Sequence, residues 1–230
     1  MANYSPYTDV ASATTWTEGE ALIRDGNTVA WYDFSDASTI TKDGSNLVSA
    51  WNDKLAGGIN LAATGAAKPL AQATGILFDG TAQYMQAGPF DAVSMPLTGY
   101  LIVKQVSWTI GDILCQYYNI NQGIIKQVTS SPYIIQNIDW YSDTLAVGSF
   151  GIIQSHMLAA NSFGRINNSA AITGTQRSYT GTLSYLAIGS LTGGITPANI
   201  EVKGWVIRKV DDDATNETKI YNYLKAYYSI

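Results

Sequence analysis

The segment that decides the fold is the nine-residue stretch Ile200-Glu201-Val202-Lys203-Gly204-Trp205-Val206-Ile207-Arg208. Its alternating pattern predicts a β-strand, because successive side chains of a strand point to opposite faces of a sheet. On this pattern, one face carries Ile200, Val202, Gly204 and Val206, and the other carries Glu201, Lys203, Trp205 and Ile207. Late in the run both faces carry apolar residues. Such a strand is covered on both sides, so the stretch predicts a two-layer sandwich.

Three further segments have the composition of strands, namely residues 29–34, 99–106 and 183–188. Each is short, rich in β-branched and aromatic residues, and bounded by Gly, Asn, Asp or Ser. Turn signals recur along the chain, roughly every 8–12 residues, as in all-β sandwiches and barrels. No linker or internal repeat interrupts this pattern. We therefore expect a single all-β domain.

Two helices are predicted, one near each end of the chain. Residues 17–20 form a capping box with Thr17 at the N-cap, and Gly26 stops the helix that follows. The second helix begins after three aspartates at 211–213, whose charge suits a helix N-terminus. Its predicted apolar stripe has the spacing i, i+3, i+4, i+7 and consists of Ile220, Tyr223, Leu224 and Tyr227. A calcium site is the alternative interpretation of the three aspartates.

The composition excludes several classes of protein. The 230 residues include 13 Lys+Arg and 18 Asp+Glu, the net charge is −5, and 46% of residues are hydrophobic. This is too apolar and too weakly charged for a disordered chain, and not basic enough for a nucleic-acid-binding protein. No apolar run is long enough to span a membrane. Cys115 and His156 are the only residues of their types, so a zinc cluster is excluded, and both are expected to be buried and structural.

The order of several local patterns resembles a known family. Those patterns are residues 30–40 (AWYDFSDASTI), 48–54 (VSAWNDK) and 76–85 (ILFDGTAQYM). They resemble the opening of concanavalin A-like (laminin-G-like) lectin/glucanase domains of the bacterial and bacteriophage type, which run W-x-D-A-S-D-x-S-T-I, W-x-D-K-S-G and F-D-G-x-x-D-Y-L. The resemblance implies an antiparallel jelly-roll sandwich of two sheets over residues 29–230. Residues 1–28 fall outside it and are expected to form an N-terminal arm with a short helix.

The resemblance continues to the end of the chain, with two departures. Residues 164–171 look like the family's v-N-G-x-x hairpin, 184–190 its l-x-I-G strand, and 202–228 its closing strand and helix. Asn168 stands where the hairpin usually has Gly, and Asn tolerates the positive φ required there. The segment from Trp205 to Ile207 lacks the acidic residue often present in the closing strand. That absence weakens any acidic site inherited from the family.

The sequence predicts that the chain is not an enzyme. Glycoside hydrolysis normally uses two carboxylates about 5–9.5 Å apart, and the glucanase relatives place theirs in a Glu-x-Asp-x-x-Glu strand. That motif is absent, and the four Glu residues stand at 18, 20, 201 and 217. Asp139 and Asp143 are the best remaining acid pair, although their spacing favours a turn. Three further aspartates, Asp33, Asp53 and Asp79, are expected to be structural rather than metal ligands.

A sugar-binding site would combine exposed aromatic rings with amide groups. Two segments have this composition, residues 117–122 and 136–141. We therefore predict a carbohydrate-binding site at Tyr117, Asn119, Trp140 and Tyr141 on a concave or rim surface. The other tryptophans in motif strands, Trp31, Trp51 and Trp205, are expected in the core.

The preferred functional prediction is a non-catalytic, lectin-like protein of a virion surface: a bacteriophage head decoration, head fibre or tail component. Three features favour it: few charges, abundant Tyr, and no export signal at the N-terminus. The expected partners are other virion subunits or copies of the chain, with a cell-surface glycan as a further ligand and no cofactor. The protein would be made in the host cytoplasm. The alternatives are a stand-alone lectin module, extracellular or on a cell surface, and a concanavalin A-like glycoside hydrolase.

Overall fold

The computed structural model describes residues 16–55, 58–94, 96–116, 123–128, 131, 133–136, 141–158, 162–173 and 182–230. Its helices are α1 (Glu18–Ile23) and α2 (Ala214–Tyr228), with short 3-10 turns at Ala37–Thr39 and Gly65–Ala67. Its strands are β1 (Thr28–Asp33), β2 (Ile40–Lys42), β3 (Val48–Trp51), β4 (Leu61–Ala62), β5 (Leu70–Ala71), β6 (Ile76–Asp79), β7 (Met85–Ala87), β8 (Val93–Ser94), β9 (Leu97–Gln105), β10 (Ile113–Gln116), β11 (Ile124–Gln127), β12 (Tyr133–Gln136), β13 (Tyr141–Thr144), β14 (Phe150–Met157), β15 (Phe163–Ile166), β16 (Ile172–Thr173), β17 (Thr182–Leu183), β18 (Leu186–Ile188) and β19 (Asn199–Arg208).

The strands form two antiparallel sheets that pack face to face. Within the described residues, the eight-stranded sheet has the order β16-β15-β14-β9-β19-β6-β5, and β1 pairs with β19 beside β6. The nine-stranded sheet has the order β13-β12-β11-β10-β18-β7-β4-β3-β2, and β17 pairs with β8 separately. The predicted all-β, two-sheet antiparallel jelly-roll sandwich with a short N-terminal helix and a C-terminal helix is therefore confirmed.

The core lies between the two sheets. Trp51 from one sheet and Trp205 from the other are both fully buried, and the ring of Tyr32 packs against each, with centroids 5.7 and 5.9 Å apart. Burial of each such ring contributes on the order of 2 kcal/mol. Cys115 also lies in this core. The predicted burial of Trp51, Trp205 and Cys115 is confirmed.

The strand that decided the fold contains an irregularity that the alternating pattern does not reveal. The pairing of β19 with β9 shifts between Val202 and Gly204, which leaves Lys203 as an extra residue. Such a bulge reverses the side-chain alternation beyond it. Trp205 therefore faces the same inter-sheet core as Val202, while Val206 faces the helices. The prediction that Val206 shares a face with Val202 was wrong for this reason.

Both helices pack on the outer face of the eight-stranded sheet. Ile23 of α1 and Ile220 and Leu224 of α2 are fully buried against Trp31 and other residues of that face. The predicted start of α1 is confirmed, since the Thr17 side chain accepts a hydrogen bond from the Glu20 backbone N–H at 3.3 Å. These contacts make a third layer on one side of the sandwich.

The predicted apolar stripe of α2 is correct only in its centre. Ile220 and Leu224 are buried, but Tyr227 is 38% exposed, and the buried tyrosines are Tyr221 and Tyr228. Tyr228 is drawn inward because its hydroxyl donates a hydrogen bond to the buried Asp33 carboxylate, at 3.0 Å. The buried stripe is therefore rotated from the predicted one.

The hairpin between β15 and β16 turns at Asn167 and Asn168, whose φ angles are 52° and 58°. Two consecutive residues with positive φ define a type I′ turn, which matches the twist of hairpin strands. Asn at the position of the family's usual Gly is thus tolerated as expected.

Neither described helix has the length and apolar character needed to cross a bilayer. The predicted division into an arm of residues 1–28 and a sandwich of residues 29–230 stays a prediction, since residues 1–15 lie outside the described ranges.

Candidate carbohydrate-binding face

We call the outer face of the nine-stranded sheet, on which neither described helix packs, the open face. The two described helices bury their apolar residues against the other sheet. Across this open face the strand register places four residues side by side, in the order Ala62, Gln86, Ala187, Gln116. Two amide side chains therefore alternate with two small residues.

A short hairpin, Leu191–Ile195, lies on this row. The Gln86 Oε1 atom accepts a hydrogen bond from Gly193 N at 2.9 Å, and the Gln116 Oε1 atom accepts one from Thr192 N at 3.0 Å. Ala187 stands between these two anchors and has no exposed surface. Its small methyl group leaves room for the hairpin above it. The two glutamines thus fix the hairpin to the sheet.

Two depressions flank the hairpin. The Tyr84 depression, about 340 Å³, is lined by Asn60, Ala62, Thr64, Tyr84, Gln86 and Gly88, among others. The Ile195 depression, about 300 Å³, is lined by Gln116, Tyr185, Leu191, Thr192 and Ile195. Each is near the lower end of the size range of small-molecule sites.

Two half-buried tyrosines belong to these depressions, and each packs on a glycine. A side chain at Gly194 would collide with the Tyr84 ring, and one at Gly88 would collide with the Tyr185 ring. Both glycines have positive φ, 78° and 124°, which suits a residue without Cβ. The close approach holds the rings in place, so the face presents aromatic rings beside amide groups.

The predicted sugar-site residues fall largely outside the described ranges. Tyr117, Asn119 and Trp140 are not described, and Tyr141 begins β13 but its side chain is not described. The residue before Tyr117, Gln116, does line the Ile195 depression. The four-residue site therefore stays a prediction.

Sequence reasoning missed Tyr84, Gln86, Tyr185 and Ile195. Tyr84 and Tyr185 were assigned only to family-like strand patterns. The strand period contained a usable signal, because Gln86 stands between two core residues, Met85 and Ala87, and must point to the opposite face. Nothing in the local sequence places Ile195 beside them.

The predicted structural aspartates do have structural roles. Asp33 is fully buried and accepts hydrogen bonds from Lys54, at 2.5 Å, and Tyr227, at 2.8 Å. Burial would raise the pKa of Asp33, but these hydrogen bonds outweigh it and lower the pKa. Asp53 accepts a hydrogen bond from Trp31 N at 2.7 Å, and Asp79 accepts one from Thr81 N at 2.8 Å.

The three aspartates before α2 are also accounted for by protein contacts. Asp213 caps the helix by accepting a hydrogen bond from Asn216 N at 2.8 Å, and Asp212 pairs with Arg208 at 2.8 Å. Asp211 lies 3.7 Å from His156. Among the described residues, no group of three or more His, Cys, Asp or Glu side chains is arranged to hold a metal ion.

A carboxyl group and an imidazole under the start of α2 both have shifted pKa values. Glu217 is buried, pairs with Arg165, and lies 3.1 Å from the buried His156. Burial raises the pKa of Glu217 to about 7, against the opposing effect of Arg165. Burial and the nearby Arg165 lower the pKa of His156 to about 3. The imidazole is therefore neutral and structural, as expected from the sequence.

Comparison with known proteins relates the chain to others by fold alone. No family model and no curated protein sequence matches it. Among solved structures, a Trypanosoma rangeli sialidase in complex with sialic acid matches with a TM-score of 0.60 and 12% identity, over 85% of this chain and 32% of that one. A GH54 α-L-arabinofuranosidase soaked with 4-nitrophenyl α-L-arabinofuranoside matches with a TM-score of 0.66 and 10% identity, over 92% of this chain and 65% of that one.

The chain thus spans about a third of the sialidase and less than two thirds of the arabinofuranosidase. At these identities the likeness shows a shared β-sandwich fold. It agrees with the coarser part of the family resemblance, a sandwich found among carbohydrate-active proteins. Nothing in the comparison supports the bacteriophage type.

The comparison also corrects two functional expectations. The prediction of a non-catalytic virion-surface protein was wrong, because the similar structures are glycosidases. The prediction that the chain is not an enzyme is contradicted by the same finding. The missing Glu-x-Asp-x-x-Glu strand is the pattern of the glucanase relatives, whereas the similar structures are a sialidase and an arabinofuranosidase.

Proposed function

We propose that this chain is the carbohydrate-binding β-sandwich of a carbohydrate-active protein, and that it holds sugar on the outer face of its nine-stranded sheet. The observation that carries the proposal is that each depression combines a half-buried tyrosine with an amide side chain. Tyr84 stands with Asn60 and Gln86 in one depression, and Tyr185 stands with Gln116 in the other. A pyranose has apolar C–H faces and an equatorial belt of hydroxyls. Aromatic rings stack on the C–H faces, and amide groups form hydrogen bonds with the hydroxyls.

The position of the site in the fold supports the same proposal. The two described helices pack on the opposite sheet and not on the outer face of the nine-stranded sheet. Residues of the hairpin line the Ile195 depression, and Gly194 of the same hairpin packs on the Tyr84 ring. A site assembled on strands and anchored by hydrogen bonds loses little entropy on binding.

A glycan array tests this proposal. We expect the wild-type protein to bind a defined set of glycans, and Tyr84→Ala and Tyr185→Ala each to weaken that binding about tenfold, the effect of losing one stacking ring. The matched control is Tyr223→Ala, since Tyr223 lies on α2 and lines neither depression. Thermal unfolding verifies that each variant is folded. Absence of binding to every glycan, or equal loss in the control, would contradict the proposal.

Glycoside hydrolysis is the second candidate, favoured by the fold shared with glycosidases. Asp91 lines a third depression of about 460 Å³ that adjoins the Tyr84 depression through Asn60 and Gly88. It is the one carboxylate among the described lining residues of the three depressions, whereas hydrolysis normally uses two. Binding is therefore the function that the geometry supports best.

Hydrolysis is tested with 4-nitrophenyl glycosides, including the α-L-arabinofuranoside and a sialoside. Release of 4-nitrophenol that falls about a hundredfold in Asp91→Asn would establish catalysis at this face, since general acid–base groups contribute at least that factor. The control is Asp43→Asn, because Asp43 is exposed and lines none of the three depressions. Release that Asp91→Asn leaves unchanged would exclude Asp91 as the acid or base.

A further inference from the structure

The Ile195 depression differs chemically from the Tyr84 depression. Its walls are the side chains of Tyr185, Leu191 and Ile195. Ile195 is 58% exposed, so its side chain is accessible to a ligand in the depression. The depression is therefore a small apolar recess beside a polar sheet face.

The polar atoms at its base contact each other. Gln116 Oε1 accepts hydrogen bonds from both the backbone N and the Oγ1 of Thr192, at 3.0 and 2.9 Å. The Gln116 Oε1 atom is thus already used within the protein, and a sugar hydroxyl placed against the aliphatic side chains of Leu191 and Ile195 would lose water there, which is unfavourable. A methyl group in the same place would gain free energy from its own burial.

The hairpin that carries Leu191 and Ile195 is held before any ligand arrives. Ile195 pairs with Leu191 through a backbone hydrogen bond of 3.1 Å, and the intervening Gly193 and Gly194 both have positive φ. Gln86 and Gln116 fix the tip to the sheet, as described above. The apolar recess is thus preformed, and a preformed recess discriminates between ligands better than one that must be ordered.

We infer that the Ile195 depression selects sugars that carry a methyl group, as an acetamido substituent or a 6-deoxy position, over their hydroxyl counterparts. This inference rests on the proposed function and names its ligand class. The methyl group lies between Leu191 and Ile195, and the sugar ring extends over Tyr185 towards Gln86.

Matched glycan pairs test the inference. The pairs are N-acetylglucosamine with N-glycolylglucosamine, N-acetylgalactosamine with N-glycolylgalactosamine, and L-fucose with L-galactose, each on the same oligosaccharide framework and measured by titration. We expect the methyl-bearing member of a bound pair to bind about fourfold more tightly, the factor for one buried methyl group. A preference within the acetamido pairs, or within the 6-deoxy pair, identifies which of the two substituents supplies the methyl group.

Two variants locate the effect. Ile195→Ser is expected to lower the affinity for the methyl-bearing member about fourfold and so to abolish the preference within a pair. Ile110→Ser is the control, since Ile110 is 64% exposed but lines neither depression. Equal affinities within every bound pair, or a preference that survives Ile195→Ser, would overturn the inference and leave the proposed function standing. Failure of all glycans to bind would overturn the proposed function itself.

Discussion

At the scale of single residues, a buried ionisable pair with shifted pKa values lies under helix α2 rather than on the open face. Glu217 and His156 are both buried and lie 3.1 Å apart. The charged groups that surround them are Arg165 from β15 and Asp211, Asp212 and Asp213 before the helix. Burial favours the neutral form of each, so the pair couples folding to pH in two opposing ways.

We expect Glu217 to make the fold less stable as pH rises. Its pKa in the folded state is about 7, against 4.5 ordinarily, so the folded protein retains a proton between those values that the unfolded chain releases. Stability from this group is complete below pH 4.5 and is lost as pH rises towards 7. Glu217→Gln should remove that loss of folding stability, on the order of 3 kcal/mol.

The measurement is denaturant unfolding of wild type and Glu217→Gln at pH 5 and pH 7.5. The stability difference should move in favour of the variant at the higher pH. His156, whose pKa is lowered to about 3, acts in the opposite direction, so stability from that group rises with pH up to about 6.5. His156 is present in both proteins, so its contribution to the pH dependence of stability cancels from the comparison. A pH-independent difference would contradict the assignment to Glu217.

At the scale of elements, local capping signals and tertiary contacts contribute separately. The sequence pattern predicted the beginnings of α1 and α2 correctly, because a cap is a contact among residues three apart. It misplaced the buried stripe of α2, because Tyr228 turns inward to reach Asp33, 195 residues away in sequence. Contacts of that range cannot be read from helical spacing.

Asp213→Ala is expected to destabilise the protein by about 1 kcal/mol, the usual value of an N-cap side chain. The variant loses the hydrogen bond from Asn216 N to the Asp213 carboxylate. The thermal midpoint should fall by about 2–4 °C for a chain of this size. Asp213→Asn is the matched control, since Asn caps helices as well as Asp, and it should remain close to wild type. Equal midpoints for Asp213→Ala and Asp213→Asn would argue against the capping role.

At the scale of the whole molecule, the two sheets have different outer environments. The eight-stranded sheet lies beneath helices, and the nine-stranded sheet has the depressions proposed to bind sugar. The inter-sheet core separates the two outer faces by the thickness of a sandwich. Changes beneath the helices should therefore alter stability without altering the open face.

Leu224→Ala tests this independence. Leu224 belongs to α2 and is fully buried, so its truncation should lower the free energy of unfolding by about 2–5 kcal/mol. The affinity of the folded protein for its glycan should stay within about twofold of wild type. Lys225→Ala, at the neighbouring exposed position, is the control and should change stability by less than about 0.5 kcal/mol. A parallel loss of affinity in Leu224→Ala would show that the two faces are coupled.

The sequence by itself determined the features that depend on neighbouring residues: the strand segments at 29–34 and 99–106, both helix starts, and the burial of Trp31, Trp51 and Trp205. Composition and periodicity are sufficient there, because the physical causes are local propensity and the hydrophobic effect. The two-sheet architecture followed from those features together with the family resemblance. The prediction of one strand over residues 183–188 was wrong, because the chain there divides into β17, which pairs with β8, and β18, which joins the nine-stranded sheet.

Only the tertiary structure decided which way Trp205 points and which residues meet on the open face. The extra residue Lys203 reverses the side-chain alternation in the rest of β19, because the pairing of β19 with β9 shifts at that position. Gln86 and Gln116, thirty residues apart in sequence, come together only because β18 lies between β7 and β10. Strand order is a property of non-local pairing, and no local pattern encodes it.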